Sequence, residues 1–153
     1  MAMQNTGSSS SWLNATDGIA AQWQDFLILV GRVMFGLIFI LSGWRKLVDI
    51  PAFVKTMPNR DLPDFLGYIA PPVEFVGGIL LIVGFATRYV SIVMLLFLII
   101  ATFSSHRYWN SPPTQMANQN AHFWKNISMM GGNVLLFMTG AGRYALDAML
   151  GRK

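Results

Sequence analysis

Four long apolar stretches alternate with polar segments along the chain, at residues 26–44, 68–86, 89–103 and 124–142. Stretches of this length and apolarity are typical of segments that cross a membrane. A bilayer offers no partner for a backbone N–H or C=O group, so each segment must satisfy its own backbone hydrogen bonds. We therefore predict four transmembrane helices, which form an all-α integral membrane protein with an antiparallel four-helix bundle.

The polar segments at the two ends of the chain differ in charge. Residues 1–25 contain no Lys or Arg, and they lack the basic start and short apolar core of a secretory signal. We predict a polar tail there, flexible over residues 1–11, with an interfacial turn around residues 12–23. Two longer loops, 45–67 and 104–123, connect the spans. The predicted organisation is a polar tail at 1–25, a four-helix domain at 26–148 and a basic tail at 149–153.

Aromatic residues lie at both ends of the predicted spans, where Trp and Tyr rings prefer the membrane–water interface. The belt beside the long loops contains Trp44, Tyr68, Tyr108, Trp109 and Trp124, and the belt beside the termini contains Trp23, Tyr89 and Tyr144. The two belts agree with one four-span topology, in which both termini lie on the same side. Basic residues occur on both sides, so the positive-inside rule leaves the orientation open.

The composition agrees with a membrane location and excludes several kinds of function. Hydrophobic residues make up 54% of the chain and charged residues 12%, about half of the charged fraction usual in a soluble domain. The net charge of +4 comes from scattered bases, so we predict no binding of nucleic acid. Cysteine is absent, which excludes disulfides, thiolate metal sites and dithiol redox chemistry carried by this chain. The predicted partner is the lipid bilayer.

Two ionisable residues, Arg32 and Glu74, fall inside predicted spans. Such residues are expensive to bury in lipid and often mark functional sites. At a rise of about 1.5 Å per residue, Arg32 lies roughly 9 Å and Glu74 roughly 18 Å from the side of the termini. Asn133 falls between these depths and Asn126 slightly beyond, on helix faces whose glycines allow close approach. We predict that Arg32 and Glu74 point inward, with Asn133 or Asn126 within reach of one of them.

Two interpretations of these charges stay open. In the first, Arg32 and Glu74 form a structural ion pair that sets the helix register. In the second, they line a polar pocket in which Glu74 exchanges a proton or hydrogen-bonds a ligand, and Arg32 holds an anionic or quinone-like oxygen. Lys46 and His106 are the next candidate partners of Glu74, and His122 shares a loop with His106. Two histidines without a nearby carboxylate are too few to specify a metal site, so none is predicted.

The third predicted span, 89–103, contains no charged residue. Its only polar groups are the hydroxyls of Tyr89, Ser91 and Thr102. We expect this helix to face lipid or a neighbouring protein more than the pocket. Such a surface favours a role in assembly with other membrane subunits.

Several short motifs follow one another in order within residues 26–148. They are Gly31-Arg32, Ser42-Gly43, Glu74 with Gly77-Gly78, Thr87-Arg88, His122 with Asn126, and Gly140-Ala141-Gly142-Arg143-Tyr144-Ala145-Leu146-Asp147. This set resembles the DoxX family of small bacterial membrane proteins. The family often has Gly-Pro-Gly and Ser-Leu-Asp in the last motif, where this chain has Ala141 and Ala145.

The resemblance implies a four-helix fold in the bacterial inner (plasma) membrane, with both termini in the cytoplasm. It also implies a subunit of a thiosulfate:quinone oxidoreductase, or a partner of redox-stress enzymes in a membrane assembly. A quinone is then the candidate cofactor, and no covalently bound cofactor is expected.

The sequence favours an accessory or scaffold subunit of a redox-linked membrane complex, because the chain is small and carries no metal-cluster motif or nucleophile–base pair. The alternative is a quinone-linked oxidoreductase subunit that uses a pocket formed by Arg32 and Glu74. A small carrier of lipid or protons has less support. Whether the chain is itself an enzyme stays open.

The predicted topology can be tested with single cysteines, since the chain has none of its own. Cysteines placed at Ser8 and Ser111 should react with a membrane-impermeant maleimide from opposite faces of the membrane. Labelling of both positions from the same face would contradict the topology, which places three spans between them.

Overall fold

Helices make up most of residues 14–151, the part of the chain that the computed structural model describes. The helices are α1 Asp17–Leu47, α2 Ile50–Val54, α3 Phe65–Val83, α4 Thr87–Ser105, α5 Pro113–Thr139 and α6 Leu146–Leu150, with short 3-10 turns at Pro58–Arg60 and Tyr108–Asn110. No strand occurs within residues 14–151. The prediction of an all-α membrane protein is confirmed.

Three helical segments are long and apolar enough to cross a membrane. They are Asp17–Leu47, Phe65–Val83 and Thr87–Asn110. The fourth long helix, α5, has the length but begins with a polar stretch, residues 113–121. Its role as a fourth span stays a prediction.

Two helix starts differ from the sequence-based prediction. Helix α1 begins at Asp17 rather than at residue 26, so the turn expected around residues 12–23 is helical from Asp17 onward. Helix α5 begins at Pro113, inside the predicted loop 104–123, because proline is well suited to the first position of a helix and no breaker follows it. The tail predicted as flexible, residues 1–11, lies outside the described residues.

The long helices pack in chain order. Helix α1 packs most extensively on α3, α4 packs on α5, and α3 contacts α4 less. Their shared core contains the buried side chains Phe39, Leu81, Val90, Met94, Leu98 and Met129. The seam between α3 and α4 is therefore the looser of the main helix contacts.

Glycines bring the backbones of α1 and α3 together. A Cβ atom on Gly43 of α1 would lie 2.7 Å from the backbone nitrogen of Phe75, and one on Gly78 of α3 would lie 2.7 Å from the carbonyl oxygen of Gly36. Small residues at such contacts let membrane helices approach closely enough for van der Waals packing and polar contacts. The glycine-containing faces of the first two predicted spans meet at this contact.

Helix α4 contributes one face to the core, although less than a third of its apolar span is buried. Val90, Met94 and Leu98 are buried there, together with the hydroxyls of Ser91 and Thr102. The opposite face is exposed, as the apolar-span prediction requires. Lipid and protein core are equally apolar, so a uniformly apolar pattern cannot show which face turns inward.

Replacement of Gly43 by Ala should lower the free energy of unfolding in detergent by about 1–3 kcal/mol, because the new methyl group would overpack the α1–α3 contact. Gly31 is a matched control on the same helix, because nothing lies within 4 Å of the place where its Cβ would be. Gly31→Ala should be neutral, or stabilise by up to about 1 kcal/mol through helix propensity. Equal effects of the two substitutions on thermal unfolding would contradict the close contact.

Candidate functional site

A polar cavity of about 430 Å³ lies at the end of the bundle where α1 meets the loop segments. Its volume falls in the range of ligand-binding sites, roughly 300–1,000 Å³. Side chains from α1, α3, α4 and α5 line it, together with Arg60 from the turn after α2 and His106 just after α4. Its charged, imidazole and amide groups are Arg45, Lys46, Arg60, Glu74, His106, His122, Lys125 and Asn126.

Glu74 forms an ion pair with Lys46 at this cavity. The Glu74 side chain is 7% exposed and the Lys46 side chain 27%, so the pair links a buried carboxylate of α3 to a partly exposed ammonium group of α1. A buried carboxylate needs such a partner, because an unpaired charge in an apolar interior costs several kcal/mol, on the order of 3–5. Lys46, a second choice in the sequence analysis, is therefore the partner of Glu74.

Arg32 lies at the other end of the bundle, so the interpretation in which Arg32 and Glu74 form an ion pair is wrong, although both residues are buried as predicted. Its buried guanidinium donates a hydrogen bond to the carbonyl oxygen of Tyr144 at 2.5 Å and lies directly against Gly84. Gly84 follows Glu74 by ten residues, about 15 Å along a helix. The C-terminal segment folds back and supplies the acceptor, which the sequence pattern did not show.

Asp147 holds that C-terminal segment on the turn between α3 and α4. Its carboxylate accepts hydrogen bonds from the backbone nitrogens of Ala86, at 2.6 Å, and Thr87, at 2.9 Å, and its own N–H donates to the carbonyl of Gly84. Burial favours the neutral acid, but the hydrogen bonds from Thr87 and Ala86 outweigh it and hold the pKa of Asp147 below its ordinary value. Asp147 thus stays ionised near Arg32.

Gly84 is required at this turn for two reasons. Its φ of +70° lies in the left-handed region that favours glycine, and a Cβ atom there would meet both the Arg32 guanidinium and the methyl group of Ala145, the latter at 2.6 Å. Sequence reasoning gave no role to Gly84 or Asp147. The only signal for Asp147 was its place at the end of the last motif.

The two candidate asparagines lie in different places, one in the cavity and one outside it. Asn126 lines the polar cavity with Glu74 and is 6% exposed. Asn133 is buried and does not line this cavity; its amide donates to the carbonyl of Met129 at 3.2 Å. The structure therefore brings Glu74, Lys46 and Asn126 together and leaves Arg32 and Asn133 outside the site.

His106 and His122 also line the cavity, with stacked rings whose centroids are 5.1 Å apart. Nδ1 of His106 is 2.8 Å from the amide oxygen of Gln119, and Nδ1 of His122 is 3.5 Å from Nζ of Lys125. Imidazoles can take up or release a proton near neutral pH. Within residues 14–151, no cluster of three or more acidic or imidazole side chains is arranged to hold a metal ion.

Arg60 completes the positive surroundings of Glu74, and sequence reasoning missed it because it lies in a loop. Its guanidinium donates to the hydroxyl of Ser105 at 2.9 Å and lies 5.1 Å from the ring centre of Phe53. Burial lowers the pKa of Arg60 from its ordinary value, but a guanidinium remains charged in proteins. No carboxylate within residues 14–151 forms a salt bridge with Arg60.

The cavity therefore holds the cations Arg45, Lys46, Arg60 and Lys125 around the single carboxylate of Glu74. This charge balance favours a ligand with oxygen atoms that accept hydrogen bonds. The ion pair and the imidazoles can hold protons close to such a ligand.

These features define a small helical membrane protein with a polar, ligand-sized cavity at one end of the bundle. The sequence profile of the DoxX family matches residues 27–107, and the chain belongs to that family.

Similar proteins carry names that refer to membranes or to redox chemistry. Inner membrane protein YphA of Escherichia coli K12 is 30% identical over 79% of this chain and 88% of its own length. Inner membrane protein YqjF of the same strain is 28% identical over 85% of this chain and 96% of its own length. The Bacillus subtilis protein named "Putative oxidoreductase CatD" is 34% identical over 46% of this chain and 53% of its own length. No solved structure matches the chain.

The assignment of the ion pair predicts which charges are energetically coupled. Lys46→Gln leaves the Glu74 carboxylate buried without its partner, and should lower the free energy of unfolding in detergent by about 3 kcal/mol. Glu74→Gln should cost less, because Lys46 keeps partial contact with solvent. The double variant should recover part of the loss, as measured by thermal or denaturant unfolding.

Arg32 provides the control for this cycle. Arg32→Gln and Glu74→Gln should have effects that add to within about 0.5 kcal/mol, as expected for distant sites without shared partners. Coupling between Arg32 and Glu74, together with additive effects of Lys46 and Glu74, would show that the pairs are wrongly assigned.

Proposed function

We propose that this protein is an accessory subunit of a redox-linked complex in the bacterial inner membrane, and that its polar cavity binds the ring of a quinone-like amphiphile. One observation carries the proposal: the Lys46–Glu74 pair lines a cavity of about 430 Å³ instead of being closed off by packing. A purely structural ion pair would not need this space. The name of the CatD relative and the inner-membrane names of YphA and YqjF support the proposed setting.

The side chains of the cavity fit a quinone ring. The ring presents two carbonyl oxygens, and Lys46, Arg60 and Lys125 offer N–H donors to such acceptors. Asn126 can donate or accept a hydrogen bond, and Phe97 and Leu98 offer apolar surface to the ring faces. The cavity therefore combines a few polar groups with apolar walls, as small-molecule sites generally do.

A bound quinone would supply a two-electron acceptor whose oxygens take up protons. The chain's own residues can serve the proton side of this chemistry. The Lys46–Glu74 pair can hold or release a proton at the cavity wall, and His106 can do so at its loop end. The sequence has no cysteine, so thiol chemistry would have to come from another subunit. This division of labour agrees with an accessory role.

Asn126 provides a test of the proposal that leaves the ion pair intact. A soluble, short-tailed benzoquinone should raise the thermal unfolding temperature of the purified protein, because a ligand that binds the folded state stabilises it. Asn126→Leu keeps a similar volume but removes the amide, and should weaken binding about tenfold. The matched control is Asn133→Leu, at a buried amide outside the cavity, which should leave the apparent Kd unchanged.

Two results would contradict the proposal. The first is the absence of any stabilisation of the wild-type protein at any quinone concentration, which would leave a scaffold role alone. The second is an equal loss of affinity in both asparagine variants, which would place the ligand elsewhere.

A further inference from the structure

An apolar groove follows the seam between α3 and α4. A cleft of about 310 Å³ occupies its loop end, where Ile69 and Val73 of α3 face Val93 and Leu96 of α4. A second cleft of about 420 Å³ occupies the end near Tyr89 and is lined almost entirely by apolar side chains. Both clefts are lined by Val73 and Val93, so they lie next to each other along the seam, and we refer to them together as the groove.

The groove exists because small and flexible side chains form its floor. Gly77 of α3 has no side chain, and the sulfur of Met94 from α4 fills the place of its missing Cβ. Helices α3 and α4 therefore come close at Gly77 and Met94, and the groove lies outside this contact, on the surface of the bundle. Ile69, Val93, Leu96 and Ile100 border the opening and are between 50% and 56% exposed. In a membrane, this opening faces the lipid chains.

The groove lies directly beside the polar cavity at its loop end. Lys46, Arg60, Phe97, Ala101 and Ser105 line both the groove and the cavity. An amphiphile can thus place its polar ring in the cavity while its tail stays in an apolar environment.

We propose that the tail of a long-chain, isoprenoid quinone lies in the α3–α4 groove, and that the ligand reaches the polar cavity sideways from the bilayer between these helices. This inference rests on the proposed quinone function and adds the path of the tail. Arg60 lies at the junction and is placed to position a ring oxygen as it passes from the groove into the cavity.

The charges of the groove favour an amphiphile over a transmembrane helix of another protein. Cations occur only at its loop end, where Lys46 and Arg60 lie, and the rest of the groove is apolar. This polarity matches a ligand with one polar end. The α4 segment from Tyr89 to Ser105 is about 24 Å long, within the roughly 30 Å of the hydrocarbon core, so a tail along it remains at lipid depth.

Photo-crosslinking tests this path directly. The probe is a benzoquinone with an isoprenoid tail that carries a diazirine near its end, added to the full-length protein in phosphatidylcholine vesicles. In the wild-type protein, mass spectrometry should find the label on the groove-facing parts of α3 and α4. Val93→Trp places a large ring where the two clefts meet and should abolish this labelling. Ile92→Trp is the control, since Ile92 is 41% exposed but lines neither cleft.

A tail-less benzoquinone separates this inference from the proposed function, with binding measured by thermal shift. The tail-less ring should still bind to Val93→Trp with an affinity within about twofold of the wild type. Labelling on other helices, or unchanged labelling in Val93→Trp, would overturn the groove while the ring site stands. A phosphatidylcholine with a diazirine in its tail is a further control. If it labels the groove as strongly as the quinone probe, the groove only contacts bulk lipid, and the proposed path of the tail is overturned. If the tail-less ring does not bind at all, the proposed function fails and the inference fails with it.

Discussion

The need to pair one buried carboxylate explains much of this structure. Glu74 lies within α3, where an unpaired charge would cost several kcal/mol, on the order of 3–5. Lys46 meets this need from α1, and it can do so because glycines bring the backbones of α1 and α3 into contact at Gly43. The ion pair in turn fixes the relative position of the two helices at the loop end. Since Lys46 is only partly buried, the pair lies at the wall of a cavity and not in a closed core.

The polar groups of the bundle thus divide into two sets with different roles. At the end near the termini, Arg32 is covered by the C-terminal segment, and Asp147 caps α4 through two backbone N–H groups. Nη2 of Arg32 and the carboxylate of Asp147 find their partners within the protein, whereas Nε and Nη1 of Arg32 are buried without a hydrogen-bond partner among the described residues. At the loop end, Glu74 is surrounded by cations and imidazoles that face open space. The groups near the termini therefore stabilise the fold, whereas the groups around Glu74 are able to bind a ligand.

The hydrophobic pattern was sufficient to predict the four long helices, because an apolar segment in lipid must satisfy its backbone hydrogen bonds within itself. It also indicated Glu74 as a site residue and Lys46 as a substitute partner. It could not pair the charges correctly, since the depth comparison of Arg32 and Glu74 ignored a C-terminal segment whose return to the bundle depends on Asp147. Nor could it indicate the buried face of α4, because Met94 inside and Val93 outside are both apolar. Arg60 escaped notice because a loop has no periodicity from which its direction can be inferred.

The apolarity of the membrane also limits what the α3–α4 groove can contribute. A tail that leaves lipid for a groove lined by Val73 and Val93 exchanges one apolar environment for another, so it gains little of the free energy that burial from water would provide. The affinity for the proposed quinone must then come mainly from the polar cavity, where Lys46, Arg60 and Asn126 would contact ring oxygens that lipid chains cannot satisfy. The groove instead restricts the direction from which the ring approaches. Substitutions in the groove should therefore change where the tail lies much more than how tightly the ring binds, whereas substitutions in the cavity should do the reverse.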